Sequence, residues 1–266
     1  MLVTEQKKAY WEYQYRLGKE YIIPLLSDWG VSLSEKKVLD IGCAEGGVLC
    51  SFADLGVEGY GIELSSSRLL IAKEMARKHH IPTIHFIIAD INQMPLQSNQ
   101  KPFDFILLRD VFEHLIDKQK IMSKLNSIMG DKTTLLITFP PFYAPFGGHQ
   151  QLLSSWLKRV PYFHVLPFPF WSVFRWYIKQ FDKNSGYLNE VEKLRSHRIT
   201  IDRFWNLAKV HGFKVVKKRY YITRPSYRLR FGWPVIISNR LARIPIMREF
   251  VISGAFFLLE KDTVAS

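Results

Sequence analysis

Short apolar runs alternate with amphipathic stretches between residues 36 and 139. The apolar runs have the length of strands and fall at residues 38–41, 58–64, 84–89, 103–108 and 134–138. Between these runs, apolar residues recur with the spacing of a helix. This predicts one helix from the turn after residue 41 to about residue 55, a second over 66–79 and a third over 113–129, which Gly130 ends. Apolar strands that alternate with helices predict a parallel sheet covered on both faces.

Proline, glycine and aromatic residues break this pattern after residue 139 and crowd the chain as far as Tyr187. A helix over residues 200–211 and strands over 213–221 and 250–259 then resume regular structure, and the last strand is expected to return to the sheet. The whole pattern predicts an α/β protein. Its fold is expected to be a Rossmann-like, doubly wound, mostly parallel sheet of seven strands, with an aromatic, basic insertion after the fifth strand.

Charge divides the chain more sharply than its net value of +13 indicates. Residues 151–248 hold 20 of the 37 Lys and Arg residues but only 4 of the 24 Asp and Glu residues. This basic half suits an anionic partner, such as an acidic membrane surface, a phosphorylated substrate or nucleic acid. The aromatic block at 160–176 suits a bilayer headgroup region, but it is too short and too rich in proline to span a membrane. Those aromatics could instead form the core of the insertion and line a substrate pocket.

The cysteines and the N-terminal sequence bear on location. Cys43 and Cys50 are the two cysteines of the chain, and their spacing suits neither a disulfide framework nor a cysteine-based zinc site. The first 20 residues carry charges throughout and lack the apolar core of a secretion signal. We therefore expect a cytoplasmic protein, with peripheral association at a membrane as a further expectation. Nothing in the pattern selects an oligomeric state.

Glycines and carboxylates follow successive strands of the predicted sheet. Gly42 and Gly46 lie in the turn after the first strand, Glu63 ends the second strand 23 positions after Asp40, and Asp90 follows the third. In a doubly wound sheet the ligand lies beyond the carboxyl ends of the strands, where small residues let the backbone approach it and a carboxylate can bind ribose hydroxyls. These residues predict a site for an adenosine-type ligand.

In order and spacing, these features resemble the successive motifs of class I S-adenosylmethionine (SAM)-dependent methyltransferases over about residues 36–139. The later Ile-Thr-Ile-Asp-Arg-Phe at 199–204 and His-Gly-Phe at 211–213 also resemble that family. Ala44 departs from it, since the family usually has glycine there. The resemblance implies that SAM is the cofactor and that the chain has four parts. These are an N-terminal helical lid (1–35), a SAM-binding core (36–139), a substrate-binding insertion or lid (140–198) and a C-terminal completion of the sheet with a basic segment (199–266).

The resemblance also implies which residues contact the cofactor. Asp40 and the turn after it are expected at the methionine end, Glu63 at the ribose, and Asp90 at the adenine, on which the next residue packs. Arg109 and Asp110 are expected to border the methionine carboxylate and amine, although Asp110 could instead be a simple helix cap. The full set of expected contacts is Asp40, Gly42, Cys43, Ala44, Gly46, Glu63, Leu64, Asp90, Ile91, Arg109 and Asp110.

Asp110, Glu113 and His114 resemble the corresponding stretch of ubiquinone-biosynthesis O-methyltransferases, where an acidic residue, Glu and His hold a divalent metal that orients a phenol. The same Glu-His pair also occurs in metal-free members of the family, and we predict no metal here. His114 is a candidate general base, and His149, in a Gly-Gly-His loop after the fifth strand, is a second. Either imidazole could instead make structural contacts alone.

Three functions compete on this sequence. The first is SAM-dependent methyl transfer to oxygen or carbon of a small or lipid-linked acceptor, held by the aromatic insertion. RNA methylation is suggested by the basic half, but the chain has no recognisable RNA-binding module, so nucleic acid is not the expected partner. A non-catalytic adaptor at a membrane surface is suggested by residues 228–248, where arginines mix with large apolar side chains.

Overall fold

The protein is described by a computed structural model that covers residues 2–93, 102–184 and 186–262. Within these residues, eight strands form one sheet: β1 (Lys37–Ile41), β2 (Glu58–Glu63), β3 (Ile84–Ile88), β4 (Phe103–Arg109), β5 (Met129–Phe139), β6 (Phe213–Thr223), β7 (Ile236–Ile237) and β8 (Gly254–Lys261). Their order is β3-β2-β1-β4-β5-β8-β6-β7. The first five are parallel, and β8 is antiparallel to both β5 and β6. The predicted Rossmann-like, mostly parallel sheet is confirmed.

The helices of the described chain flank this sheet or build the insertion. They are α1 (Leu2–Leu17), α2 (Ile23–Asp28), α3 (Gly47–Cys50), α4 (Ser66–Lys78), α5 (Lys118–Ile128), α6 (Phe170–Phe181), α7 (Gly186–Ser196), α8 (Ile201–Val210), α9 (Pro225–Phe231) and α10 (Pro245–Val251). A π-helical segment, Gly18–Ile22, joins α1 to α2. Among the described residues, no helix combines the length and the apolar character needed to cross a membrane.

The structure differs from the predicted elements in the bounds of several of them and in one additional short strand. All seven predicted strands are present, but β7 adds an eighth, pairing antiparallel with β6 over two residues. The last strand begins at Gly254 because α10 occupies the preceding residues. The helix predicted over 113–129 begins only at Lys118, where the Asp117 carboxylate accepts a hydrogen bond from the Lys120 N–H at 3.0 Å. It runs directly into β5, so Gly130 lies in a strand.

Alternation of side chains along the strands builds a core on each face of the sheet. In β4, Phe105 and Leu107 belong to one core, which also includes residues of α1 and α4, whereas Ile106 and Leu108 belong to the other, with residues of α5 and α8. Period-two alternation produces this arrangement because successive strand side chains point to opposite faces. The sheet is therefore packed on both faces, and the carboxyl ends of its parallel strands carry the site.

The insertion after β5 has a small core of its own. Leu157, Phe163, Trp171, Tyr187 and Val191 are buried together, and the Phe163 and Trp171 rings stack at 6.2 Å between centroids. Within the described residues it consists of helices and short turns and adds no strand to the sheet, as the proline-rich pattern predicts. Part of the aromatic content of the insertion is thus structural.

Candidate active site

The turn after β1 has the backbone conformation that a close ligand approach requires. Gly42 and Gly46 have φ values of 72° and 79°, in the left-handed region that favours glycine. A Cβ on Gly46 would lie 2.5 Å from the Phe86 ring, so no side chain fits there. Ala44 also has a positive φ, 53°, which explains why glycine is the easier residue at this point. The turn therefore needs glycine at positions 42 and 46, and residues 43–47 are packed at the carboxyl end of β1.

Glu63 connects the β1 turn to the end of β2. One carboxylate oxygen accepts the N–H of Ala44 at 3.2 Å, and the other accepts the N–H of Ser65 at 2.9 Å. Each oxygen keeps a further acceptor position, because a carboxylate has about four lone-pair sites in all. Leu64 is 69% exposed beside it. The end of β2 therefore presents a fixed carboxylate and an open apolar side chain, which fit an adenosine.

The two residues expected at the adenine differ in accessibility. Asp90 is half-buried, and its Oδ1 accepts hydrogen bonds from the backbone and the side-chain amide of Asn92, at 2.8 Å and 2.9 Å. Ile91 is 5% exposed and packs into one of the sheet cores together with Ile62. The apolar surface that is open here in the described residues comes instead from Leu64 and Ile88.

Asp40 and Cys43 are buried at the floor of the turn. Burial raises the pKa of Asp40 to about 7, although the positive charge of Arg109 opposes this and the negative charge of Glu63 adds to it. Burial also raises the pKa of the Cys43 thiol, whose side chain belongs to the core. Cys43 thus contributes backbone to the site rather than a reactive thiol.

A buried Arg-Asp-Arg cluster closes the end of β4. Asp110 lies at an ion-pair distance of 3.2 Å from Arg109 and 3.1 Å from Arg224. Burial alone would raise the pKa of Asp110, but the charges of Arg224 and Arg109 outweigh it and lower that pKa. Two guanidinium groups face one carboxylate, so the cluster keeps a positive charge that suits a carboxylate ligand. The simple-cap alternative for Asp110 does not describe these contacts.

Four titratable side chains meet next to this cluster. His114 Nδ1 lies 2.6 Å from a carboxylate oxygen of Glu190, which α7 of the insertion contributes. His114 Nε2 and His149 Nε2 each lie 3.7 Å from Oε1 of Glu113, and the two imidazole rings are 4.8 Å apart. The structure therefore brings both predicted histidines together, at the junction of the sheet and the insertion.

Burial sets the protonation of this histidine cluster. It raises the pKa of Glu113 to about 7 and lowers the pKa of His149 to about 3. Burial alone would lower the pKa of His114, but the carboxylates of Glu113 and Glu190 outweigh it and raise that pKa. His149 is therefore a neutral imidazole at neutral pH, and its burial disfavours the protonated form.

The same cluster has the composition of a metal site. The nearest ligand atoms of Glu113, His114 and His149 all lie within 4.8 Å of one another. Among the described residues, neither carboxylate oxygen of Glu113 has a hydrogen-bond partner, although the side chain is buried. Asp110, the acidic residue that the metal-binding pattern includes, faces Arg109 and Arg224 instead. One carboxylate and two imidazoles could hold a divalent ion, but the motif's own first ligand is engaged elsewhere.

Comparisons with known proteins bear on the family of this chain. A family model described as a methyltransferase domain matches residues 32–163. Phosphoethanolamine N-methyltransferase 2 of Caenorhabditis elegans is 26% identical over 160 residues, which are 57% of this chain and 36% of that protein. Ubiquinone biosynthesis O-methyltransferase of Glaesserella parasuis is 28% identical over 115 residues, or 42% of this chain and 49% of that protein. The chain thus spans less than half the length of these two relatives.

Solved structures share the fold across most of the chain. Phosphoethanolamine N-methyltransferase 2 of Haemonchus contortus, solved with S-adenosyl-L-methionine, superposes with a TM-score of 0.57 at 16% identity, covering 90% of this chain and 51% of that one. A SAM-dependent methyltransferase of Aquifex aeolicus superposes with a TM-score of 0.52 at 13% identity, covering 92% and 91%. The fold is that of the SAM-dependent methyltransferases. This chain contains a class I SAM-dependent methyltransferase domain.

Two residues of the site were missed by sequence reasoning. Arg224 contacts Asp110 across 114 positions of sequence, and Glu190 contacts His114 from inside the insertion. Arg224 belongs to the basic half of the chain, which suggested RNA as one possible partner but no contact at the end of β4. Contacts over such separations leave no local pattern, so only the folded chain reveals them.

Proposed function

We propose that this chain transfers the methyl group of SAM to a small-molecule or lipid-linked acceptor. One observation carries the proposal: the residues at the ends of β1, β2 and β4 that suit SAM adjoin a pair of imidazoles, His114 and His149. The relatives named above are O- and N-methyltransferases. We therefore favour an oxygen or nitrogen acceptor over the carbon acceptor that the sequence also allowed.

SAM supplies a methyl group on a sulfonium, which makes the carbon open to attack by a nucleophile in line with the carbon–sulfur bond. In our proposal Glu63 holds the ribose, Asp90 the adenine, and the turn after β1 with Asp40 the methionine end. Arg109 and Arg224 face the methionine carboxylate. The protein's contribution is mainly proximity and orientation, which can supply about 7–11 kcal/mol of the barrier reduction.

We assign the proton-accepting role to His149. Its imidazole is neutral and lies on the loop that joins β5 to the insertion. Because burial disfavours the imidazolium, we propose that the Glu113 carboxylate, 3.7 Å from Nε2, stabilises it when the proton arrives. His114 is less free to act, because Glu190 accepts its Nδ1 hydrogen at 2.6 Å and fixes the ring. In this arrangement Glu190 and Glu113 position His114, and His149 takes a proton from the acceptor as the methyl group is transferred.

Calorimetry with SAM tests the cofactor half of this proposal. Glu63→Ala removes the carboxylate that would bind the ribose, so SAM affinity should fall about tenfold or more. Glu58→Ala is the matched control, because Glu58 begins the same strand but is exposed and contacts Tyr60 rather than the β1 turn. A wild-type protein without SAM binding, or unchanged affinity in Glu63→Ala, would contradict the proposal.

We further propose that the protein works at an anionic membrane surface. One side of α6 exposes Phe170, Val173 and Trp176, and the helix also carries Arg175 and Lys179. Apolar and aromatic side chains beside basic ones are typical of segments that lie in the interfacial region of a bilayer. Such a surface would bring the domain to a lipid-linked acceptor.

Flotation with lipid vesicles tests this surface. The protein should float with vesicles that contain phosphatidylglycerol and much less with pure phosphatidylcholine, and Trp176→Ser should reduce flotation. Leu70→Ser is the control, since Leu70 is similarly exposed on α4 of the sheet domain. Equal flotation of Trp176→Ser and Leu70→Ser would remove α6 from the proposal. Membrane binding in a protein that binds no SAM would favour the adaptor alternative.

A further inference from the structure

A large cavity lies between three segments that are distant in sequence. Its volume is about 940 Å³, at the upper end of the range of small-molecule sites. Side chains of α1 form one wall, the loop over residues 146–159 of the insertion forms the second, and α9 with Trp233 forms the third. All of the residues that line the cavity thus lie outside the SAM-binding core predicted at 36–139.

Aromatic and apolar side chains dominate the cavity wall. Tyr10 and Tyr13 line it from α1, and Phe231 and Trp233 line it from the opposite side. The Phe231 and Trp233 rings lie 5.6 Å apart, and each also lies 5.9 Å from the ring of Tyr227. Such a surface gains most from burying hydrocarbon or an aromatic body.

Three cations stand in this apolar wall: Lys158, Arg159 and Arg230. The cavity lining includes no carboxylate, and among the described residues no acidic side chain pairs with any of the three. Arg230 lies over the rings of Tyr10 and Tyr13, at 5.6 Å and 4.6 Å from their centroids, which holds its guanidinium against the wall. Unpaired cations in an apolar cavity favour an anionic ligand group.

The wall of the cavity lies next to the candidate active site. Burial raises the pKa of the Tyr13 hydroxyl on this wall, and the positive charges of Arg109 and Arg230 oppose that rise. Both guanidinium groups therefore act on the same hydroxyl. Arg224, which pairs with Asp110, lies 5.3 Å from the ring of Tyr227, another wall residue. A ligand in the cavity would therefore reach the end of β4, where the methyl group is to be transferred.

We propose that this cavity binds the methyl acceptor, and that the acceptor is an amphiphile with a hydrocarbon or aromatic body and a phosphate-type anionic group. The inference rests on the proposed methyl transfer and specifies its substrate class. Rings from α1 and α9 bury the apolar body, and Lys158, Arg159 and Arg230 bind the anion. A cationic acceptor would be repelled by the three positive charges.

Dodecyl phosphate, below its micelle-forming concentration, is the probe for this proposal. Its binding to the full chain is followed by tryptophan fluorescence, with dodecyl maltoside and dodecyltrimethylammonium as neutral and cationic counterparts. The anionic probe should bind about tenfold or more tightly than either. Inorganic phosphate separates the two sources of the anion: weak binding indicates a lipid-like acceptor, and binding as tight as that of dodecyl phosphate would overturn the amphiphile proposal.

Variants locate the binding within the cavity. The triple variant Lys158→Gln, Arg159→Gln and Arg230→Gln should lose about tenfold or more of the affinity for dodecyl phosphate. The control is Lys209→Gln, Arg228→Gln and Arg240→Gln, which removes the same charge at exposed positions outside the cavity lining. Equal loss in both triple variants would overturn the proposal.

Calorimetry with S-adenosylhomocysteine on the same samples separates this proposal from the proposed function. The cavity triple variant should bind S-adenosylhomocysteine like the wild type. Binding of S-adenosylhomocysteine without discrimination among the three dodecyl probes refutes the acceptor class and leaves methyl transfer intact. Discrimination among the probes without any binding of S-adenosylhomocysteine or SAM refutes methyl transfer, and with it the inference that the cavity holds a methyl acceptor.

Discussion

The SAM-binding core and the cavity region handle charge in opposite ways. In the core, charged groups are buried and paired at strand ends: Asp110 between Arg109 and Arg224 is the clearest case. Around the cavity, Lys158 and Arg230 are exposed and have no acidic partner among the described residues. In the core, Asp110 neutralises part of the charge of the two arginines and one positive charge is left for the cofactor, whereas the cavity leaves all three of its cations for the ligand.

This contrast predicts that variants of the two regions separate cofactor binding from acceptor handling. The histidine cluster and Arg224 lie where the two regions meet, so variants of these residues are the strictest test of whether the two functions can be separated. Side chains deeper in the cavity or in the β1 turn should affect one function alone.

The largest effect is expected for His149→Ala. Loss of the proton acceptor should reduce methyl transfer about 1,000-fold, while SAM affinity stays within about twofold. S-adenosylhomocysteine release from SAM in the presence of a total lipid extract measures the rate. His85→Ala serves as the control, since His85 is exposed on β3 at the far side of the sheet. A rate loss shared by both variants would remove His149 from the mechanism.

Arg224→Gln should have the next largest effect, on stability. Removing one partner of a buried ion pair leaves Asp110 with a single guanidinium, and the free energy of unfolding should fall by about 3 kcal/mol. Chemical denaturation measures it. Arg228→Gln on α9, the helix that follows Arg224, is the comparison variant, because Arg228 is exposed and bonds only the nearby Gly232 carbonyl among the described residues. Similar unfolding energies for the two variants would show that the Asp110 cluster contributes little.

Trp233→Ala should weaken binding in the cavity without affecting SAM binding. Loss of this ring removes apolar wall, so affinity for dodecyl phosphate should fall about tenfold while SAM affinity stays within about twofold. Fluorescence of a labelled probe measures the first and calorimetry the second. Leu70→Ala is the control for loss of an exposed apolar side chain in the core region. A matching fall in SAM affinity would mean that the two sites are not separate.

The smallest effect concerns pH. Burial raises the pKa of Asp40 to about 7, so this carboxyl is neutral below that pH and charged above it. Only the charged form attracts the methionine ammonium, so SAM affinity should rise about fivefold from about pH 6 to about pH 8. Titration calorimetry at several pH values measures this change, and Asp40→Asn should bind SAM weakly with a flat pH profile. A wild-type affinity that falls over this range would contradict the assignment.

The two regions also differ in what their sequence reveals. Strands β1 to β6 and β8 were predicted because a strand that is buried on both faces of a sheet has a continuous apolar sequence. The grouping of carboxylates at the strand ends follows from the parallel order of the strands. β7 has two residues, too few for any periodicity. The 3-10 turn at Phe112–His114 interrupts the predicted helix because Glu113 is turned inward beside the imidazoles.

The cavity could not be predicted in the same way. Its wall joins Tyr13, Lys158 and Trp233, which come together only through tertiary packing. The sequence did show that aromatics and cations were concentrated in one half of the chain, but it could not say which were core. Phe163 and Trp171 prove to be buried in the insertion, whereas Phe231 and Trp233 face the cavity.

A structure of the protein with S-adenosylhomocysteine and dodecyl phosphate bound together tests the account most directly. We predict the ribose against Glu63, the sulfur facing His149, and the dodecyl chain in the cavity with its phosphate at Arg230 and Lys158. A homocysteine sulfur that faces away from the cavity, or a dodecyl chain bound elsewhere, would contradict the claim that these two regions form one active site.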